Sequence, residues 1–287
     1  MQNYEELTGV AVRAALAAGD VIMKVYQGGD MDVQIKDDDS PVTVADLQAN
    51  AVSTGMLGET GLPVLSEEGR DIPFEERRSW DKFWLVDPLD GTKEFISRNG
   101  EFTVNIALIK NGNPVAGVVY APVNELLYTG IAGKGAWRID HVRSGDTGTP
   151  DPGSQFWIKE GRPLPCVHHK SYGIVASRSF LDDRTGTFID KFTERYPGTR
   201  IVTRGSSLKL CMLAEGEADI YPRFSNISEW DTAAGHAILI ASGGEMVQVP
   251  DIDSPLVYNK PDSRNPWFVA FNDRQMLERV KDLIPGE

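Results

Sequence analysis

A short apolar run that ends in two closely spaced aspartates constrains this chain more than any other feature. The run Phe-Trp-Leu-Val covers residues 83–86, and Asp87-Pro-Leu-Asp-Gly-Thr follows it directly. Its length and apolar character predict a buried strand. Pro88 and Gly91 predict a turn, so the carboxylates of Asp87 and Asp90 should emerge together at the carboxyl end of that strand.

Two carboxylates in one tight turn repel each other, and a cation between them would relieve the repulsion. The backbone carbonyl of Leu89 could join them, and a ligand set made of oxygen atoms favours Mg²⁺ over Zn²⁺. The alternative is an Asp-rich turn whose side chains only cap backbone groups, which is the commoner role of such turns.

Three further acidic residues stand where an apolar segment meets a turn or a helix start, namely Asp46, Glu67 and Asp231. Each has a structural alternative. Asp46 has the spacing of a capping box with Thr43, Glu67 could form a solvated pair with Glu68, and Asp231 could be an N-cap or a favourable charge at a helix start. Taken together with the two aspartates of the turn, the three could converge and hold two or three Mg²⁺ ions.

A group that orients the attacking water would complete such a site. Thr92 directly follows the Asp-rich turn. Its hydroxyl could pass a proton to Asp46 if the second predicted helix packs nearby.

Apolar periodicity predicts helices and strands along the whole chain. The predicted helices cover residues 7–28, 43–57, 182–195, 206–214, 231–241 and 274–283. The predicted strands cover 63–65, 83–86, 102–109, 115–120, 126–131, 135–139, 174–176, 200–203, 219–221, 246–249 and 267–270. Strands that follow one another predict an antiparallel meander, whereas the later alternation of strands and helices predicts an α/β layer. The fold class is therefore α+β to α/β.

A shift to Gly, Pro, Asp and Ser marks residues 141–165, which are predicted to be a loop or boundary. It divides the chain into an N-terminal α+β subdomain, residues 1–140, which carries the Asp-rich turn, and a C-terminal α/β subdomain, residues 166–287.

The composition is acidic, with a net charge of −13 and a pI near 4.8. This argues against a nucleic-acid polymer as partner, because such binding relies on Lys and Arg. A small phosphorylated ligand is compatible with it, since a bound metal ion supplies positive charge locally. The two cysteines, Cys166 and Cys211, form no CxxC pair and predict free thiols in a reducing compartment. Neither a signal peptide nor a transmembrane segment is predicted.

Several motifs together resemble the inositol monophosphatase superfamily of Mg²⁺-dependent, lithium-sensitive phosphatases. They are WLVDPLDGTKEFISRNGEFTVNIALI, LSEEG and EWDTAAGHAI. The stretches GTKEFISRNGEFTVNIAL, VVYAPV, GSSLK, AEGEADIYPRF and WDTAAGH are most similar to the bacterial CysQ-type 3′(2′),5′-bisphosphate nucleotidases. The resemblance covers about residues 4–272 and implies a layered α-β-α-β-α sandwich.

The resemblance also implies roles for individual residues. The Mg²⁺ ligands would be Glu67, Asp87, Asp90 and Asp231 with the carbonyl of Leu89, and the catalytic pair would be Asp46 and Thr92. The substrate would contact residues in both subdomains, with the nucleotide on the C-terminal side: Glu67, Leu89, Asp90, Gly91, Thr92, Gly205, Ser206, Ser207, Lys209, Arg223 and Asp231. For Ser206 and Ser207 helix capping is an equal alternative, and for Arg223 a surface salt bridge.

The implied reaction is hydrolysis of the 3′-phosphate of adenosine 3′,5′-bisphosphate to AMP and phosphate. A second implied substrate is 3′-phosphoadenylyl sulfate, with a role in sulfate assimilation. One alternative is an inositol monophosphatase or another sugar-phosphate phosphatase of the superfamily. Another is a non-catalytic nucleotide- or metal-binding regulator, against which the presence of all five carboxylates counts.

The expected protein is a monomer or homodimer in the cytoplasm, with peripheral attachment to the cytoplasmic face of the inner membrane as an option. Two segments depart from the family pattern. Residues 141–169 are longer and more polar than expected, and residues 224–230 replace a more Gly- and Pro-rich approach to Asp231.

Overall fold

Two large β-sheets and three layers of helices make up the structure, a computed structural model that describes residues 3–29, 32–36, 41–143, 156–177 and 182–286. The helices are α1 (Tyr4–Gly28), α2 (Val44–Gly58), α3 (Phe74–Arg77), α4 (Thr92–Ile96), α5 (Phe156–Glu160), α6 (Asp183–Arg195), α7 (Leu208–Glu215), α8 (Glu229–Ala241) and α9 (Gln275–Val280). The strands are β1 (Gln34–Ile35), β2 (Pro41–Val42), β3 (Val64–Ser66), β4 (Lys82–Asp90), β5 (Thr103–Lys110), β6 (Asn113–Ala121), β7 (Leu126–Ile131), β8 (Gly135–Ile139), β9 (Arg162–Pro163), β10 (Gly173–Ser177), β11 (Arg200–Arg204), β12 (Ile220–Arg223), β13 (Glu245–Val249) and β14 (Trp267–Phe271).

The first sheet has seven strands in the order β3-β4-β5-β6-β7-β8-β9. Strand β3 runs parallel to β4, and the remaining neighbours are antiparallel, as the predicted meander requires. Alternate residues of β4 enter different apolar clusters. Trp84 and Val86 pack with α1 and α2, whereas Phe83 and Leu85 pack with α7 and α8.

The second sheet has five strands in the order β11-β10-β12-β14-β13. Strand β10 is parallel to both of its neighbours, and β14 is antiparallel to β12 and β13. One face, which includes Val175, joins the cluster around α7 and α8, while the other, which includes Ile174, packs against α6 and α9. The order of layers is therefore helices, sheet, helices, sheet, helices, and the predicted α-β-α-β-α sandwich is confirmed.

Helix α8 lies unusually close to the first sheet because two glycines face it. A Cβ atom added to Gly117 of β6 would lie 2.3 Å from the carbonyl oxygen of Ala234, and one on Gly130 of β7 would lie 2.6 Å from Cα of Ile238. Side chains there would push the helix away from the sheet. The two glycines thus set the short distance between α8 and the first sheet, and with it the position of Asp231 in the first turn of the helix.

The Asp-rich segment after Val86 is wrongly predicted as a turn beyond the strand. Strand β4 continues through it to Asp90, with Asp87 opposite Asn105 and a register shift between Asp87 and Asp90. Pro88 has no N–H for the ladder, so a β-bulge accommodates it within the strand. The bulge keeps both aspartates anchored to β5 instead of placing them on a free loop.

The predicted loop 141–165 contains two regular elements. Helix α5 packs its residues Phe156 and Trp157 into the α1 side of the core, and strand β9 pairs with β8, so the first sheet extends to Pro163. Residues 144–155 of that predicted loop lie outside the described residues. The division of the chain into two subdomains stays a prediction.

Both cysteines are free thiols, as predicted. Among the helices of the described residues, none combines the length and apolar character that crossing a membrane requires.

Candidate active site

Three carboxylates from separate elements meet at the edge of the first sheet. Oxygen atoms of Glu67, Asp87 and Asp231 all lie within 4.8 Å of one another, as a metal site requires. Glu67 follows β3, which is parallel to β4, and its amide donates to the carbonyl of Val86 at 3.1 Å. Asp87 is next along β4, and Asp231 reaches the same point from the first turn of α8. These three residues and Asp90 are called the carboxylate cluster below.

Asp87 is the most deeply buried member of the cluster, with 1 % of its surface exposed. Its Oδ1 accepts from the amide of Leu89 at 3.0 Å, whereas its Oδ2 has no hydrogen-bond partner among the described residues. Burial, followed by the charges of Glu67 and Asp90, raises the pKa of Asp87 well above its usual range. A buried oxygen without a donor, surrounded by like charges, fits a hard divalent cation.

Asp231 is the third residue of α8, because the helix begins at Glu229. The predicted N-cap role is therefore wrong, and Ser228 is the N-cap. Asp231 instead completes a capping box, in which its Oδ2 accepts from the amide of Ser228 at 2.8 Å. Burial, with the charges of Asp90 and Glu67 next, raises the pKa of Asp231 to about 8.

Glu67 and Glu68 do not form the solvated pair that was the structural alternative. Lys36 binds both, with its Nζ 3.0 Å from Glu67 Oε1, and the Glu68 side chain is 8 % exposed. Burial raises the pKa of Glu67 to about 7, although the charge of Lys36 opposes this shift. Lys36 thus partly neutralises the outer side of the carboxylate cluster.

Asp90 is held by donors from both halves of the chain. Its Oδ2 accepts from Ser206 Oγ at 2.6 Å, from the amide and the Oγ of Ser207 at 2.7 Å each, and from Asn105 Nδ2 at 3.1 Å. Ser207 makes no side-chain cap bond, and α7 begins at Leu208, so helix capping does not explain these serines. Their hydroxyls face the carboxylate of Asp90.

Gly205 brings this serine pair close to α4 and to the segment that follows it. Its amide donates to Glu101 Oε2 at 2.8 Å, and an added Cβ would lie 2.8 Å from Cγ of Glu94. A larger residue would force the two segments apart. The absence of a side chain at Gly205 is therefore what allows Ser206 and Ser207 to reach Asp90.

Asp46 and Thr92 are in contact. Thr92 Oγ1 lies 3.1 Å from Asp46 Oδ1, while the other carboxylate oxygen of Asp46 accepts from the amide of Thr43 at 2.8 Å in a capping box. The pKa of Asp46 is raised by burial, against the hydrogen bonds from Thr43. The capping role and the Thr92 contact therefore coexist, one on each oxygen, and the catalytic roles of the pair stay predictions.

A cleft of about 580 Å³ opens beside these groups. Ten of the predicted site residues line it: Glu67, Asp90, Gly91, Thr92, Gly205, Ser206, Ser207, Lys209, Arg223 and Asp231. The other three, Asp46, Asp87 and Leu89, are buried, and the predicted ligand role of the Leu89 carbonyl stays a prediction.

Lys209 and Arg223, called the basic pair below, are both buried, with 8 % of each residue exposed. The surface salt bridge considered for Arg223 is therefore wrong. Lys209 Nζ donates to the carbonyl of Ser206 at 2.6 Å, and Arg223 Nη2 donates to that of Asn226 at 3.2 Å. Burial lowers the pKa of Lys209, the nearby Arg223 adds to this effect, and Asp90 opposes it.

Sequence reasoning missed several residues that contact the predicted ones, among them Lys36, Glu101, Thr103 and Asn105. Thr103 and Asn105 are polar residues at the start of strand β5, next to its apolar residues 106–109, and both are buried. That pattern was a readable signal, because buried polar side chains need partners. The contacts of Lys36 and Glu101 depend on tertiary packing, so no pattern in the sequence predicts them.

Known proteins resemble this chain over most of its length. The model of the inositol monophosphatase family matches residues 3–267. The 3′(2′),5′-bisphosphate nucleotidase CysQ of Salmonella typhimurium is 48 % identical, over 80 % of this chain and 85 % of that protein. The crystal structure of CysQ from Bacteroides thetaiotaomicron has a TM-score of 0.84 and 44 % identity, and covers 92 % of this chain and 96 % of that one.

An inositol monophosphatase from Thermotoga maritima shares the fold with a TM-score of 0.69 at 22 % identity, over 95 % of this chain and 94 % of that one. The family match covers most of the chain, and it includes every residue of the carboxylate cluster and the basic pair. The resemblance found in the sequence is confirmed: the chain belongs to the inositol monophosphatase family.

Proposed function

We propose that this protein is a Mg²⁺-dependent phosphatase that hydrolyses the 3′-phosphate of adenosine 3′,5′-bisphosphate to AMP and phosphate. The observation that carries the proposal is a cleft lined by three members of the carboxylate cluster, with Asp87 buried beside them, and by the buried basic pair. The first suits a metal-assisted attack on one phosphate, and the second suits the binding of another. Relatives named 3′(2′),5′-bisphosphate nucleotidase, at 48 % and 47 % identity, support the choice of substrate.

The carboxylate cluster would hold two or three Mg²⁺ ions. Its ligands are all oxygen atoms, and Asp87 Oδ2 lacks any other partner in the described part of the chain. When bound, Mg²⁺ supplies positive charge to the scissile phosphate and makes a nearby water more acidic. Burial, and after it the repulsion between neighbouring carboxylates, raises the pKa values of Glu67, Asp87 and Asp231, and a bound cation would relieve both effects.

Thr92 and Asp46 would position and deprotonate the attacking water. The Thr92 hydroxyl, 3.1 Å from Asp46 Oδ1, donates to that oxygen and keeps its own lone pairs for the water. As the water oxygen bonds to phosphorus, its proton passes to Thr92 Oγ1, and the hydroxyl proton of Thr92 passes to Asp46. The bond from phosphorus to the 3′-oxygen breaks, the 3′-oxygen takes a proton from solvent, and Asp46 returns its proton to solvent.

The basic pair would bind the 5′-phosphate that is not cleaved. Both side chains line the cleft, and a phosphate supplies several acceptor oxygens for Lys and Arg donors. The protein as a whole carries a net charge of −13, so the two buried cations of the cleft differ in sign from the chain's overall charge. A substrate with a single phosphate would leave the basic pair without that partner, which disfavours inositol monophosphates.

The remaining parts of the proposal follow from this substrate. 3′-Phosphoadenylyl sulfate carries the same 3′-phosphate and would be a second substrate. The protein would then act in sulfate assimilation in the cytoplasm. The proposal includes either a monomer or a homodimer as the active form.

The direct test is product analysis. Purified protein is incubated with adenosine 3′,5′-bisphosphate and Mg²⁺, and the nucleotide product is separated by chromatography against 5′-AMP and 3′-AMP standards. We expect 5′-AMP and one equivalent of phosphate, and no turnover after chelation of the metal. Formation of 3′-AMP, or no hydrolysis at saturating Mg²⁺, would overturn the proposal.

A further inference from the structure

Asn105 occupies a central place in the contacts that hold Asp90. It lies on β5 opposite Asp87, with 1 % of its surface exposed. Its Nδ2 donates both to Asp90 Oδ2, at 3.1 Å, and to Ser207 Oγ, at 2.6 Å, and its Oδ1 accepts from Thr103 Oγ1 at 2.9 Å. One buried amide therefore links the Asp-rich bulge of the first sheet to the segment that precedes α7.

The direction of the Asn105 amide is determined by its neighbours. If its oxygen and nitrogen were exchanged, two acceptor oxygens, Asn105 Oδ1 and Asp90 Oδ2, would face each other. The observed orientation instead gives Asp90 an N–H donor and gives Asn105 Oδ1 the hydroxyl of Thr103 as its donor. The Thr103 hydroxyl thus holds Asn105 so that its N–H groups point at Asp90 and Ser207.

Counting protons distinguishes Asn105 from the hydroxyl donors around Asp90. Ser206 Oγ lies 2.6 Å from Asp90 Oδ2 and 2.5 Å from Thr103 Oγ1, but it carries one proton for these two contacts. Ser207 Oγ likewise lies 2.7 Å from Asp90 Oδ2 and 2.7 Å from the carbonyl of Asp231. N–H donors cannot reverse, so Asn105 Nδ2 and the amide of Ser207 are the donors of fixed direction.

These donors use up the capacity of Asp90 Oδ2. A carboxylate oxygen has about two lone-pair directions, and the structure provides four donor atoms for this one oxygen. The other oxygen, Oδ1, is then the atom of Asp90 with capacity for a cation. The rotamer of Asp90 decides where that oxygen points, and the fixed donors decide the rotamer.

We propose that Asn105 is a positioning residue that locks Asp90 in the rotamer that binds Mg²⁺ and couples it to Ser207 across the cleft. The inference rests on the proposed function, because it assigns Asp90 to the metal. Residues that orient metal ligands through hydrogen bonds commonly change metal affinity by about 10- to 100-fold when removed. An effect of that size on Mg²⁺ affinity separates a positioning role from general support of the fold.

The test is calorimetric titration of each metal-free variant with Mg²⁺, combined with melting curves with and without Mg²⁺. We expect Asn105→Ala to bind Mg²⁺ about 10- to 100-fold more weakly and to lose most of the Mg²⁺-induced rise in Tm. Thr103→Val keeps the shape and removes only the hydroxyl that orients Asn105, so a several-fold weaker affinity is expected. Asn113→Ala is the matched control, because Asn113 is exposed and donates to Asn111 at 2.9 Å within its own hairpin.

The outcomes separate this inference from the proposed function. Wild-type Mg²⁺ affinity in Asn105→Ala overturns the inference, whatever happens to turnover. If that variant does not fold, Thr103→Val decides, and wild-type affinity there overturns it equally. A wild-type protein that binds Mg²⁺ but does not hydrolyse adenosine 3′,5′-bisphosphate overturns the proposed function alone, whereas one that binds no Mg²⁺ overturns both.

Discussion

The carboxylate cluster and the basic pair lie at one candidate active site but have opposite charges, so each favours a ligand of the opposite sign. In the cluster, burial and mutual repulsion raise the pKa of Asp231 to about 8 and that of Glu67 to about 7, so the site gains from a cation. In the basic pair, burial and the neighbouring charge of Arg223 lower the pKa of Lys209, so the site gains from an anion. A nucleotide bisphosphate with bound Mg²⁺ satisfies both needs at once.

The two regions also differ in how they are held. The cluster is attached to the first sheet and to α8, and Asp90 receives donors from β5 and from the segment before α7. Lys209 and Arg223 donate to carbonyls that lie three residues away in the sequence, those of Ser206 and Asn226. The proposed function assigns the chemistry to the cluster and the choice of substrate to the basic pair, and variants of each region can test that division.

The largest effect is expected from Asp90→Asn. The variant loses the negative charge that the metal requires and places an amide where the donors of Asn105 and Ser207 point. We expect kcat for adenosine 3′,5′-bisphosphate to fall by about 10³-fold, together with weaker Mg²⁺ binding in a calorimetric titration. A wild-type rate at saturating Mg²⁺ would remove Asp90 from the metal site.

Thr92→Val should affect chemistry without affecting the metal. It keeps the branched shape and removes the hydroxyl that lies 3.1 Å from Asp46. The single-turnover rate should fall by about 10²-fold or more, while Mg²⁺ affinity stays within about twofold of wild type. Thr187→Val, which removes an exposed hydroxyl on α6 that donates to the carbonyl of Asp183 at 2.8 Å, is the control. An unchanged single-turnover rate in Thr92→Val would exclude the proposed role in water activation.

Arg223→Gln should change substrate choice more than chemistry. Loss of a hydrogen bond to a charged group predicts a rise in KM for adenosine 3′,5′-bisphosphate of about 10- to 50-fold. Hydrolysis of 3′-AMP, which has no 5′-phosphate, should change little. Arg274→Gln serves as the control, because that side chain is 81 % exposed. An equal loss on both substrates would contradict the assignment of the basic pair to the uncleaved phosphate.

The smallest effect lies outside both regions, at His236. Burial lowers its pKa to about 3, and its Nδ1 lies 2.9 Å from the hydroxyl of Tyr258. Because the unfolded state, with a His pKa near 6.5, takes up the proton first, the contribution of His236 to stability is complete above pH 6.5 and is lost as the pH falls toward 3.

His236→Asn should therefore flatten the pH dependence of stability. Between pH 7 and pH 5 the wild type should lose about 2 kcal/mol more unfolding free energy than the variant, measured by urea denaturation in the absence of metal. The carboxylates titrate in both proteins, so their contribution cancels in the difference. Parallel curves for the two proteins would show that His236 is not buried in its neutral form.

Much of the fold was predictable because its helices and strands follow simple apolar periods. The meander from β4 to β8 is an example. The bulge in β4 was missed, because Pro and Gly predict a turn equally well when the partner strand is unknown. Strand β9 was missed because two residues carry no periodicity, and its pairing with β8 depends on tertiary structure.

The residues of the carboxylate cluster were easier to predict from the sequence than the surroundings of the basic pair. The acidic residues stand out because each follows an apolar segment, and the structure brings Glu67, Asp87 and Asp231 together. The burial of Arg223 was not predictable, since a lone arginine after a strand is most often a surface residue. The contacts of Ser206 and Ser207 with Asp90 join positions more than 100 residues apart, which no local pattern reports.

The most direct test of the central claim compares two substrates on the wild-type protein. Phosphate release is measured with adenosine 3′,5′-bisphosphate and with inositol 1-phosphate at saturating Mg²⁺, with and without lithium. If one region performs the chemistry and the other binds a second phosphate, kcat/KM should be at least about 10-fold higher for the bisphosphate. Equal values, or a preference for inositol 1-phosphate, would contradict the account.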